Sequence, residues 1–158
     1  MNNKYDNLIN FMIERRKKNE IIDANTHIAT FVQYNKNINL NKIKIGENSN
    51  RIRYNNIKIK THAEINALEK MDLKSNNSLK NKNINVDLIV LRINKQYSLC
   101  DSAPCYHCTC ELKKKHFINI KNIYFSTSEG LIKCVNFNDW NNQTNHHISK
   151  GWKNINKP

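Results

Sequence analysis

Val86-Asp87-Leu88-Ile89-Val90-Leu91-Arg92-Ile93 is the stretch that decides the fold. Its aliphatic residues run on without strict alternation, which is what a strand buried on both faces requires. A strand of that kind belongs in the middle of a sheet covered by helices. A dozen residues later comes Pro104-Cys105-Tyr106-His107-Cys108, which should open a helix reaching about Lys115.

Working outward from this centre, Lys121 to Thr127 (KNIYFST) reads as another strand. Ser128-Glu129-Gly130 then makes a tight turn into Leu131 to Val135 (LIKCV), a short strand that should pair antiparallel. From Asn136 to Pro158 the chain is polar and basic, a loose helix or tail with Trp140 and Trp152 as anchors and His146-His147 solvated. Upstream, Ser75 to Asn85 reads as a surface loop. A helix is expected from about His62 to Met71, preceded by a loop or edge strand at Arg51 to Lys60.

Lys42 to Gly46 (KIKIG) alternates as a strand does, and Thr26 to Tyr34 (THIATFVQY) is rich in β-branched and aromatic residues. Asn35 to Asn41 would turn between these two. The first twenty residues place Tyr5, Leu8, Phe11 and Met12 at helical spacing. The order α-β-β-α-β-α-β-β predicts a three-layer α/β/α domain over residues 1–135, with a central mixed five-stranded sheet whose last strand is antiparallel.

At 158 residues the chain is long enough for one domain with a core of its own. It carries thirty Asn and twenty-one Ile against three Gly and two Pro, the bias that A/T-rich codons produce. The net charge of +13 is subject to the same bias, since the Lys residues are spread along the whole chain. It still allows a nucleic-acid partner, whose binding would be salt-dependent. The runs Arg15-Arg16-Lys17-Lys18 and Lys113-Lys114-Lys115 suit helix C-termini. No segment has the ~18 apolar residues of a membrane span, so no membrane partner is expected. Five Cys, two of them at zinc-type spacing, favour a reducing, cytoplasmic setting over a disulfide framework.

Two motifs carry chemistry: Thr61-His62-Ala63-Glu64 and Pro104-Cys105-Tyr106-His107-Cys108. Each alone has a plainer reading. The first is also a helix capping box, with Thr61 as cap and Glu64 reaching back to it. The second could be a redox pair or half of a structural zinc site, with His107, Cys110 or Cys100 near enough to complete it. Together they offer three soft zinc ligands, His62, Cys105 and Cys108, and one further carboxylate, Glu64. Cysteines at i and i+3 face one side of a helix, and Pro104 suits its first position.

This H-x-E…P-C-x-x-C pattern resembles the zinc-dependent cytidine deaminase superfamily. The resemblance spans roughly residues 5 to 135, and outside the two motifs it is one of element order. It implies a Zn2+ cofactor on His62, Cys105 and Cys108, and hydrolytic conversion of a cytosine to uracil. Glu64 would be the catalytic proton carrier, taking a proton from the attacking water, whose pKa the zinc lowers toward about 7. The resemblance also implies three substrate contacts. Asn48, in Gly46-Glu47-Asn48, would hydrogen-bond the sugar, the Ala63 amide the pyrimidine carbonyl, and the Ala103 carbonyl the departing amino group. The nucleoside enzymes carry a Glu shortly after their G-x-N, where this chain has Asn50. Phe31 or Tyr106 could stack on a base. Cys100, Cys110 and Cys134 are expected to pack as small apolar residues.

Thr127 to Leu131 leaves no room for a helix before the last strand, as in the nucleoside branch of that superfamily. The expected substrate is therefore a free cytidine-type nucleoside or nucleotide, turned over by an assembly of identical subunits. Two alternatives stand beside it: a deaminase of single-stranded DNA or RNA, and a non-catalytic module in which zinc only holds the fold.

Overall fold

The computed structural model describes residues 4–18, 25–53, 57–72, 83–143 and 147–148, and only the backbone of 25, 49–53, 57–60 and 72. The Ser75–Asn85 loop falls largely outside these residues, and His146 and Trp152 lie wholly outside them.

The Val86–Ile93 run lies at the heart of β5 (Ile84–Asn94), which pairs on both sides. On one side is β1 (Asn25–Gln33), antiparallel over nine residue pairs; on the other is β7 (Ile118–Ser126), parallel. β2 (Ile45–Glu47) extends the sheet beyond β1, and β8 (Ile132–Asn136) closes it antiparallel beyond β7. The strand order is β2-β1-β5-β7-β8, with the short β6 (Leu99–Cys100) folded back on the end of β5. The result is a mixed, open sheet.

Alternation along β5 sends side chains to two separate cores. Val86, Leu88 and Val90 join Ala63, Ala67 and Leu68 of α2 (Ala63–Asp72) and Leu112 of α3 (Tyr106–Lys113). Ile89, Leu91 and Ile93 join Leu8, Ile9 and Met12 of α1 (Asp6–Lys18) on the opposite face. The run lacks a polar side because neither face of the strand meets water. Among the described residues, no helix is long and apolar enough to cross a membrane.

Three features differ from the sequence reading. Lys42 ends a 3-10 turn (Leu40–Lys42) instead of starting β2, which begins three residues later. Residues expected as a loop or edge strand form a hairpin, β3 (Ser49–Arg53) with β4 (Ile57–Thr61), a two-stranded sheet of its own. Cys134 is exposed on β8, the edge strand, although alternation puts it on the α1 face beside its register partner Tyr124. The turn after β7 is as expected: Gly130 takes φ 76°, and the Thr127 amide donates to the Leu131 carbonyl at 2.8 Å.

Gly46 is required by packing. A Cβ there would lie 2.2 Å from the Ala67 nitrogen and 2.4 Å from the Ala63 carbonyl oxygen, both backbone atoms of α2. Strand β2 can therefore cross directly under that helix. Two hydrogen bonds hold it: Asn66 Oδ1 accepts from the Glu47 amide at 3.2 Å, and Lys70 Nζ donates to the Ile45 carbonyl at 2.6 Å.

The tail begins as a short helix, α4 (Phe137–Asn141), one of the two forms expected for it. Phe137 is buried, and Trp140 tilts against Phe125 with ring centroids 5.4 Å apart while its Nε1 donates to Thr109 Oγ1 at 3.3 Å.

A candidate metal site of three donors beside a buried carboxylate

Two helix starts bring the motifs together. β4 ends at Thr61, and α2 begins at Ala63. His62 sits at the junction, its carbonyl accepting from the Asn66 amide at 3.0 Å. Thr61 is thus the last strand residue and not the helix cap, so the capping-box geometry does not form and Glu64 falls in the first helical turn. On the other helix, Cys105 is the N-cap of α3, with extended φ −76° and ψ 163°. Pro104 consequently lies outside the helix, and the cysteines occupy its cap and first turn. The Thr109 amide and hydroxyl both donate to the Cys105 carbonyl, each at 3.1 Å.

The loop that delivers Cys105 is fastened to the sheet by two serines. Ser102 Oγ donates to the Val90 carbonyl at 2.7 Å and accepts from the Ser126 amide at 2.9 Å. Ser126 Oγ donates to the Cys100 carbonyl at 2.6 Å and accepts from the Arg92 amide at 3.1 Å. Both serines are fully buried and satisfied, which fixes the Cys loop at the C-terminal ends of the parallel strands. The sequence reading missed them. Their trace in the sequence is slight: Ser126 ends the apolar run Ile123-Tyr124-Phe125, and Ser102 follows Asp101 in the loop before Pro104.

His62 Nδ1 lies 3.3 Å from Cys105 Sγ and 3.2 Å from Cys108 Sγ. The three donor atoms all lie within 4.8 Å of one another. For Zn–S of about 2.3 Å and Zn–N of about 2.0–2.1 Å, a tetrahedral ion would separate N from S by roughly 3.6 Å. The observed spacings correspond to N–Zn–S angles of roughly 95–100° by the same bond lengths. Two sulfurs and an imidazole are a donor set suited to zinc. The cluster could therefore bind a metal such as zinc, and it has three protein donors among the described residues. His107 and Cys110 are not among them. His107 packs edge-on against the Tyr106 ring instead.

The electrostatics match a cation site. The Cys108 thiol donates to Cys105 and pushes its sulfur down to about 3, with His62 adding to the effect. Donating that bond, together with burial, pushes Cys108 up. The hydrogen bond to Cys105 raises His62. Metal binding would replace this shared proton by a cation and take both sulfurs as thiolates. Glu64 is 3 % exposed, and burial pushes its carboxyl above the usual carboxylate range. Its own amide and the Cys108 thiol are hydrogen-bonding partners that favour the carboxylate. Glu64 therefore stands beside the donor cluster without belonging to it.

The other expected site residues fall around this centre. Ala63 is fully buried between His62 and Glu64. Ala103 is half-buried on the Cys loop, its amide 3.4 Å from Asp101 Oδ1. Asn48 is exposed at the end of β2 and is bound both ways to His27: its Oδ1 accepts from the His27 amide at 2.8 Å, and its amide donates to the His27 carbonyl at 3.1 Å. Phe31 packs against the α2–α3 core, whereas Tyr106 is exposed. His27 itself was not anticipated. Burial, then the charges of Arg92 and His62, hold its imidazole down to about 4.

No protein-family model matches this chain, and no curated protein matches it in sequence. Fold and site define an α/β protein with a His/Cys/Cys cluster able to hold a metal, set beside a buried carboxylate.

Proposed function

We propose that this protein is a zinc-dependent hydrolytic deaminase of the cytidine deaminase type, acting on the cytosine of a nucleoside or nucleotide. The observation that carries the reading is Glu64, a buried carboxylate in contact with Cys108 and outside the three-donor cluster. Burial raises its proton affinity above that of an ordinary carboxylate, the direction a general acid–base group requires.

His62, Cys105 and Cys108 would hold the zinc, which when bound supplies Lewis acidity and brings the pKa of a water near 7. Glu64 accepts the proton of the attacking water as its oxygen bonds to C4 of the cytosine. It passes that proton to N3, and then carries the remaining proton of the new C4 hydroxyl to the exocyclic nitrogen. The C4–N bond breaks, ammonia leaves and the uracil carbonyl remains. The Ala63 amide would orient the base through its carbonyl oxygen, and the Ala103 carbonyl would accept from the amino group. Asn48 would face the sugar through its side-chain NH2, since its Oδ1 is engaged by His27.

One observation favours a second reading, deamination of single-stranded nucleic acid. The β3–β4 hairpin joins Asn48 to His62 and carries Arg51, Arg53, Lys58 and Lys60 with no acidic residue between Ser49 and Thr61.

Ammonia release by zinc-quantified protein tests the proposal, against cytidine, deoxycytidine, their monophosphates and a cytosine-containing oligonucleotide. Zinc-dependent turnover of at least one of them is the expected result. Silence on all five, with one zinc per chain, would overturn it in favour of a structural metal.

A further inference from the structure

The strand surface next to the cluster holds a basic group that the reaction does not use. Arg92 follows Val90 in the row of β5 residues that faces α2 and α3. Directly opposite it, in the antiparallel register with β1, stands His27, on the same face as Ala29. The Arg92 amide is bound to Ser126 and Asn48 is bound to the His27 backbone, so the site's own framework positions both residues. The imidazole of His27 feels the charges of Arg92, His62 and Cys105, so the guanidinium and the cluster both lie within electrostatic reach of it.

Among the described residues, Arg92 has no counter-charge at ion-pair distance. A guanidinium offers five N–H donors and no acceptor. Its Nε is buried and meets no acceptor among the described residues, and no carboxylate there lies within ion-pair distance of it. Asp101, the acidic group nearest in sequence to the Cys loop, is exposed; it influences His27, and its Oδ1 accepts from the Ala103 amide. A half-buried cation with unused donors is costly unless an anion completes it. The planar fork of arginine matches a phosphate by paired hydrogen bonds.

We infer that Arg92, with His27 beside it, forms a phosphate-binding subsite at the rim of the metal centre, so that the substrate is a phosphorylated cytosine compound. The inference rests on the deaminase reading for the base and extends it to the substrate class. Base, sugar and phosphate would lie in order along Glu64, Asn48 and Arg92. Recognition by phosphate fits the absence of a Glu at Asn50, since discrimination passes from the ribose to the anion.

The experiment compares kcat/KM for deoxycytidine, its 5′-monophosphate and a cytosine-containing single-stranded oligonucleotide in zinc-loaded wild type, Arg92→Gln and Arg92→Lys. The wild type should prefer a phosphorylated substrate over the nucleoside by at least about a hundredfold. Arg92→Gln should cut that preference by about ten- to a hundredfold, the range of one charged hydrogen-bonding group. Arg92→Lys, which keeps the charge and loses the fork, should fall between. Preference for the monophosphate identifies a phosphate monoester, and preference for the oligonucleotide a backbone diester. Equal use of nucleoside and phosphorylated substrates, or an unchanged preference in Arg92→Gln, overturns the inference while leaving the deaminase reading in place. If no cytosine compound is turned over, the deaminase reading fails, and calorimetric binding of inorganic phosphate decides the subsite alone. Binding weakened at least tenfold in Arg92→Gln supports it; no binding, or equal binding, overturns it.

Discussion

Two carboxylates are buried among the described residues, on opposite faces of one sheet, and they have been treated in opposite ways. Asp87 lies on the α1 face at the start of β5 and is 0 % exposed. Its oxygens accept from the Tyr5 hydroxyl at 2.5 Å and from the Asn122 side chain and amide at 2.9 and 3.2 Å, with Lys4 Nζ at 3.5 Å. The donors converge because β7 bulges there: the register steps from Val86↔Ile120 to Leu88↔Ile123, so two β7 residues face Asp87. Glu64, on the other face, has its own amide and a thiol, and burial dominates its proton affinity.

The difference separates a fastening from the carboxyl proposed to carry the chemistry. A buried charge surrounded by donors ties elements together, here α1 to the central strands. A buried carboxyl whose charge is poorly supported holds its proton more tightly, and such groups cluster at sites of chemistry. One pattern of burial thus serves two purposes, distinguished by the donors around it.

The comparison can be pressed at several points. The largest effect is expected from Cys108→Ala, which should lose stoichiometric zinc by elemental analysis and with it measurable turnover; full metal and activity would remove Cys108 from the donor set. Next is the fastening: Asp87→Ala strands the Tyr5 hydroxyl and Asn122 donors and should cost about 3 kcal/mol in denaturant unfolding. Tyr5→Phe should cost less, about 1–2 kcal/mol, and a negligible loss in both would make the α1 contact purely apolar.

Acid sensitivity comes third. The His27 imidazole is held at about 4 in the folded protein against 6.5 for the unperturbed group. The unfolded chain therefore binds the extra proton first as pH falls. Stability is present in full above 6.5 and is lost between 6.5 and 4, by up to about 3 kcal/mol for the metal-free protein. His27→Gln should flatten the stability profile in that window, and an unchanged slope would mean that neither burial nor the charge of Arg92 holds the imidazole down. The smallest effect has the opposite sign to that of Asp87. Burial raises the Glu64 carboxyl, so its ionisation destabilises the metal-free fold above the ordinary carboxylate range. Glu64→Gln should raise the melting temperature of metal-free protein at pH 7.5, and the gain should vanish toward pH 4.

Much of this arrangement is legible in the residues, for identifiable reasons. The Val86–Ile93 run announces a central strand because a strand with two dry faces has no polar side to mask it. Ser128-Glu129-Gly130 announces the last hairpin because only a tight turn fits. His62, Cys105 and Cys108 stand out because soft ligands at fixed spacing are rare by chance. Other features depend on contacts made far along the chain. Alternation in 51–60 marks strands but does not say which sheet they join, so the separate β3–β4 hairpin is hidden. Pro104 suits a first helical turn, yet the N-cap falls one residue later, at Cys105, where the serine-pinned loop ends. Asp87, Arg92 and His27 were visible as polar residues in apolar strands. Their meaning required the register, which sets Asp87 against a bulge and Arg92 opposite His27.

The most direct measurement is paired zinc content and ammonia release for the wild type and Glu64→Ala on the cytosine substrates. One zinc per chain is predicted in both proteins, with turnover confined to the wild type and reduced at least about a hundredfold in the variant. Loss of zinc in Glu64→Ala, or turnover equal to wild type with the metal retained, would contradict the role given to the buried carboxylate.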